Sequence, residues 1–160
     1  MDALEWSGPL SRAYHEAGHV VAAHIQGFEA SSATISDDKG LGATIVDTLD
    51  NHEATAVMAF AGLASQILFD DSLNVTDEWW LIDRVGRTLD DEELAREAIK
   101  KLLGEVEFTT ELAQSNQLRD VAHEMVSSER AQLLIARVAQ ALNEQVSLNR
   151  EQLHDLLYDI

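Results

Sequence analysis

The residues best suited to chemistry form the run Tyr14-His15-Glu16-Ala17-Gly18-His19, which contains the pattern His-Glu-x-x-His. Side chains four apart share one face of a helix, so two such imidazoles can reach a single zinc ion. The glutamate after the first histidine lies about 100° around the helix, beside the ion rather than on it. From there Glu16 can act as a general base, while zinc lowers the pKa of a water and polarises a scissile carbonyl. The chemistry this spacing implies is peptide hydrolysis around one zinc ion, with Glu16 catalytic and His15 and His19 as ligands.

A zinc site of this kind takes a third protein ligand and keeps one position open. His24 follows His19 by five residues, about 140° further round, and cannot join the same site. Spacing leaves the third ligand among His52, His123, His154 and the many carboxylates. Cysteine is absent, which excludes thiolate sites, cysteine nucleophiles and disulfides, and which suits a cytoplasmic setting. No nucleophile elbow or comparable serine arrangement is present, and Ser127-Ser128 reads as a helix break.

The helix carrying the motif is predicted from Arg12 to about Gln26, capped by Ser11 and stopped by Gly27. Gly18 within it costs roughly 1 kcal/mol relative to alanine, which points to close packing against backbone. Ser31 to Ile35 and Thr44 to Leu49 read as two strands joined by the turn residues Asp37-Asp38-Lys39-Gly40. Ile35, Ile45 and Leu49 are the expected anchors of their packed face. A lone hairpin is unstable, so it must lean on helices or gain a further strand.

Beyond it the periodicity is helical. Asn51 to Phe69 is strongly apolar, with Val57, Phe60, Ala61, Ala64 and Leu68 at core spacing. A helix from Asp77 to Val85 follows, then one from Asp90 to Leu103 with Glu93 at a capping-box position. The stretch from Thr109 to Asn143 breaks near Ser127-Ser128. Asn149 and Gln152 form a reciprocal cap for a last helix ending at Leu157. The expectation is a mainly helical α+β fold: a zincin-type N-terminal helix, a two- or three-stranded sheet, and a helical C-terminal bundle. Length and composition suit one domain over residues 1–160.

The charge excludes some partners. Against 29 acidic residues stand 11 basic ones, a formal net charge of -18. Such a surface repels nucleic acid and anionic membranes alike. No apolar run approaches a bilayer span, and the first residues lack a signal peptide's basic and apolar regions, so no membrane insertion is expected.

The chain resembles the peptidase domain of the FtsH-type ATP-dependent zinc metalloproteases, peptidase family M41. Ala13-Tyr14-His15-Glu16-Ala17-Gly18-His19 is similar to the family's motif, Ala33-Thr34-Ile35-Ser36 and Gly40-Leu41-Gly42-Ala43-Thr44 to its strand and Leu-Gly turn, and Ala61-Gly62-Leu63-Ala64-Ser65 to its small-residue helix. The resemblance implies Asp77 as third zinc ligand, with Asp70, Asp71 and Asp83 as fallbacks. It also implies a ring-forming homo-oligomer and an extended substrate paired with the strand at Ala33 to Ser36 or at Ala43 to Val46. Trp79 and Trp80, about 100° apart on a helix, read as one core residue and one partly exposed contact residue, or as lining of a substrate cleft, and the resemblance adds an oligomer interface.

Departures matter too. The family's Gly-Arg-Ala-Ala-Glu segment has Leu63 and Gln66 here, so a carboxylate that would orient a zinc ligand becomes an amide. No phosphate-binding loop is present, so the domain is expected to stand without its ATPase. Its substrates would then be unfolded or short polypeptides, or cargo delivered by a separate unfoldase. The alternative is a catalytically inactive peptidase-like binding or assembly module, with or without structural zinc.

Overall fold

The computed structural model describes residues 9–35, 43–46, 51–69 and 89–158. Within them α1 (Pro9–Ile25) leads into β1 (Ala30–Thr34), β2 (Ala43–Val46), α2 (His52–Phe69), α3 (Leu89–Leu103), α4 (Phe108–Ser127), α5 (Glu129–Gln145), β3 (Ser147–Asn149) and α6 (Arg150–Tyr158). The architecture is α+β and mainly helical, with the sheet near the N-terminal helix. The predicted helix from Asp77, the hairpin turn, Leu49, Trp79 and Trp80 lie outside the described residues, as do Asp70, Asp71 and Asp83.

Helix α1 opens on Pro9, whose fixed φ suits a first turn and whose missing N–H costs nothing there. Ser11 therefore sits inside the helix rather than capping it, and its hydroxyl accepts a hydrogen bond from Gln66 Nε2 at 2.7 Å. Gly27, at φ +90°, ends the helix as expected. Gly18 is needed for contact: a Cβ there would lie 2.6 Å from both the Ala61 carbonyl oxygen and Ser65 Cβ. Helices α1 and α2 thus meet almost backbone to backbone at that point.

Helix α2 is capped by Asn51, whose Oδ1 accepts from Ala54 N at 3.0 Å. It is buried on nearly its whole circumference from Ala54 to Ile67, between α1, α3 and α4. Val20, Val57, Ile99, Leu118, Leu134 and Leu142 are all at most 1% exposed and form one continuous core. Full burial of each such side chain contributes about 1.5–3 kcal/mol. The break near Ser127 is real. Ser128 ends α4 and caps α5, accepting from Ala131 N at 3.2 Å. The Asn149–Gln152 box at the start of α6 also forms, with both reciprocal bonds at 2.9 Å.

The sheet has the order β2-β1-β3, antiparallel throughout. Its third strand is the three-residue Ser147–Asn149, which carries no strand signal of its own and exists because β1 accepts it. Since β1 has a partner on each side, the expected substrate edge at Ala33 to Ser36 is corrected. Among the described strands next to α1's motif, only β2 keeps one side free. Ile35 is buried as expected, but Ile45 is 61% exposed. Thr44, opposite Ala33, turns inward onto α1, so alternation along β2 sends Ile45 outward. No helix among the described residues is long and apolar enough to cross a membrane.

Candidate metal centre

His15 and His19 lie one turn apart on α1, both buried against α2. The Met58 carbonyl, Gly62 and Gln66 form a stripe on α2 at four-residue spacing directly beneath them. His15 Nδ1 donates to Gln66 Oε1 at 2.9 Å, and His19 Nδ1 donates to the Met58 carbonyl at 2.8 Å. Each ring thereby spends its Nδ1 hydrogen on α2 and turns Nε2 to the same side. Gly62 makes room for this: a Cβ there would come within 2.5 Å of His19 Nε2 and 2.7 Å of His15 Nε2.

The third group comes from α3. Asp91 Oδ2 lies 2.7 Å from His15 Nε2 and 3.1 Å from His19 Nε2. One ligand atom from each of His15, His19 and Asp91 falls within 4.8 Å of the others, and no second such group occurs among the described residues. Two imidazole nitrogens and one carboxylate oxygen are the donor set zinc takes in hydrolytic sites. With bonds of about 2.0 Å, a tetrahedral ion holds its donors about 3.3 Å apart; the two Asp91–imidazole distances are a few tenths of an ångström short of that, and all three donors lie within 4.8 Å of one another. The two buried imidazoles and the part-buried Asp91 carboxylate fit a divalent metal ion.

Electrostatics agree with that fit. Burial opposes a charged imidazole at His19, but the adjoining Asp91 carboxylate outweighs it. With smaller help from Glu16 and the Met58 carbonyl, the group is raised to about 9. Burial likewise opposes the charged Asp91. The two imidazoles more than offset it and hold the carboxyl well below its ordinary value. The cluster is thus a strong binder of positive charge, whether protons or a metal ion.

Glu16 stands beside this cluster, 5% exposed. Its Oε1 accepts from the Thr44 hydroxyl of β2 at 2.8 Å, so the edge strand reaches the carboxylate directly. The structure keeps the remaining histidines elsewhere. His24 packs edge-on against Tyr158, with ring centroids 4.8 Å apart, and burial followed by the Arg130 charge lowers its pKa. His154 lies 3.5 Å from Glu29 at the surface, and His52 and His123 lie outside the cluster.

Asp91 fell within the carboxylates that spacing left open but was not among the named candidates, and Asp77 lies outside the described residues. The available signal was the run Asp90-Asp91-Glu92-Glu93 at a helix start, which reads equally well as capping and dipole compensation. Gln66, Gly62 and Thr44 were visible as residues, though their contacts were not. No protein-family model matches the chain, and a search of curated proteins finds no match. A zincin-like His, His, Asp cluster with a neighbouring glutamate is therefore defined by geometry alone.

Proposed function

We propose that the protein is a zinc-dependent peptidase in which His15, His19 and Asp91 hold one ion and Glu16 is the general base. The observation carrying this reading is the convergence of His15 Nε2, His19 Nε2 and Asp91 Oδ2 beside Glu16. A bound zinc ion would supply Lewis acidity, acidifying a water and polarising the peptide carbonyl. Glu16 takes the proton from the attacking water at its carboxylate and delivers it to the departing amine. His15 and His19 are kept in the ligating tautomer by Gln66 and the Met58 carbonyl.

The side of β2 that no described strand pairs is where an extended polypeptide would pair through its backbone, with the exposed Ile45 alongside. Backbone pairing recognises unfolded or short chains with little regard to sequence. The resemblance to FtsH-type peptidase domains supports the same reading, and with it cytoplasmic work on chains that an unfoldase or partial unfolding has already opened.

The test is hydrolysis of a labelled unfolded polypeptide by the zinc-loaded chain, with and without chelator, set beside zinc content for wild type, Asp91→Ala and Asp77→Ala. About one zinc per chain is expected in wild type and Asp77→Ala, and a clear deficit in Asp91→Ala. Chelator should stop cleavage, and Glu16→Gln should abolish it with zinc retained. Cleavage persisting in Glu16→Gln refutes the mechanism. Full zinc loading with no cleavage of any unfolded chain leaves a metal-binding module in place of an enzyme.

A further inference from the structure

Glu16 must present a carboxylate oxygen at one position to move a proton, yet it sits on a helix whose flanking histidines are fixed through α2. Helix α2 makes no such bond to Glu16 among the described contacts. The fixing group comes from the opposite side: Thr44 Oγ1 donates to Glu16 Oε1 at 2.8 Å and lies 3.4 Å from the Glu16 backbone carbonyl oxygen. Thr44 itself is set by the sheet, where it stands opposite Ala33 of β1. Its neighbours in β2 are Ala43, which has no polar side-chain group, and Ile45, which points outward.

We infer that Thr44 is a positioning residue for the proposed reaction: its hydroxyl ties Oε1 of Glu16 to the substrate-edge strand and leaves Oε2 as the oxygen that handles the proton. The inference rests on the peptidase reading. Two features of the site give it force. A carboxylate accepts at both oxygens, so one donated hydrogen bond orients the group without exhausting it. The donor also belongs to β2, the edge strand beside the motif among the described residues. A peptide pairing with β2 would hold the strand, the strand holds Thr44, and Thr44 holds the base. Binding and proton transfer are thereby linked through one hydroxyl.

Removing an orienting partner of this sort costs on the order of 10–100-fold in activity. Thr44→Val keeps the β-branched shape and deletes the donor, whereas Thr44→Ser restores it. The expected result for Thr44→Val is a kcat about tenfold or more below wild type, with KM and zinc content unchanged. Thr44→Ser should recover most of the loss. An unchanged kcat, a loss confined to KM, or a serine variant no better than valine overturns the inference.

A measurement free of turnover separates it from the peptidase reading. The stability cost of Thr44→Val is compared by chemical denaturation in the wild-type and Glu16→Ala backgrounds. Coupling requires a smaller cost when Glu16 is gone, and equal costs in both refute the contact itself. Coupled costs combined with no hydrolysis by the wild-type chain would refute the peptidase reading while confirming the Thr44–Glu16 bond.

Discussion

Gln66 is the partner that orients His15, and its replacement gives a sharp test of how the centre would hold metal. Gln66→Met keeps the side chain's approximate size and removes the strong acceptor that His15 Nδ1–H uses at 2.9 Å. His15 is 5% exposed, so no water easily takes the acceptor's place. Leaving that donor unpaired costs about 1–3 kcal/mol. The ring avoids the cost by moving its hydrogen to Nε2 and giving it to Asp91, 2.7 Å away. That tautomer satisfies the protein and disables the ligand, because Nε2 then lacks the lone pair a metal ion needs.

The penalty should therefore fall on zinc affinity more than on the fold. Losing an orienting partner of a ligating histidine weakens metal binding about 10–100-fold. That corresponds to about 1.4–2.8 kcal/mol. Competition against a chromophoric chelator measures it directly. Gln66→Glu is the counterpart: its carboxylate accepts from His15 more strongly, and the Ser11 hydroxyl can turn from acceptor to donor. Its affinity should equal or exceed that of wild type. A Gln66→Met affinity within about twofold of wild type, or a Gln66→Glu affinity below that of Gln66→Met, would refute this account of the amide.

Four further outcomes follow from the same geometry. Gly62→Ala places a methyl within 2.5 Å of His19 Nε2 and Cε1; despite the roughly 1 kcal/mol gain in helix propensity, it should fold and yet copurify with far less than one zinc per chain. Gly18→Ala meets the immobile Ala61 carbonyl at 2.6 Å; overpacking of about 1–3 kcal/mol should exceed the propensity gain and lower the midpoint of chemical denaturation. Zinc must displace the proton that His19 holds up to about 9, so its affinity should rise close to tenfold per pH unit from neutrality and level off above that value, with about one proton released in calorimetry. With chelator present, the sign for the raised His19 is opposite. Its ordinary value is 6.5, so its contribution to stability is whole below that pH and is lost as pH rises through about 9. The depressed Asp91, ordinarily 3.8, contributes above that value and fails as pH falls below it. Thermal unfolding across pH checks both limbs.

What could be read from the sequence was local. The histidine pair, the Gly27 stop, the helix break near Ser127-Ser128 and the Asn149–Gln152 box all depend on residues within about five positions of one another, where helix geometry alone fixes who meets whom. What could not be read was the rest of the site. Gln66 meets His15 across 51 positions, Asp91 across 76, and Thr44 reaches Glu16 across 28. No periodicity reports such contacts, and an acidic chain offers many carboxylates of equal standing for the third ligand. Ile45 illustrates the same limit in the sheet. Its apolar character suggested a packed anchor, whereas alternation set by the Thr44–Glu16 bond turned it outward.

The balance of charge inside the protein argues for a metal ion rather than for a polar network kept for stability. Ser11, His15, Glu16, His19 and Gln66 are all at most 5% exposed, in a helix layer whose other buried residues are mostly apolar. Burying ionised groups there is costly, and well-packed apolar replacements of buried ion pairs are often neutral or stabilising. Glu16 and Asp91 together bring two negative charges to the cluster. The raised His19 offsets one of them, and only by surrendering Nε2 to a proton. A divalent cation offsets both and uses the lone pairs that the Gln66 and Met58 contacts aim inward. Gly62 adds a steric point to the electrostatic one: the space a methyl would fill is the space the two ligating nitrogens use. Charge, tautomer and packing would thus be satisfied together by one divalent ion, and the cluster that would hold it lies next to a carboxylate already oriented by Thr44 of β2.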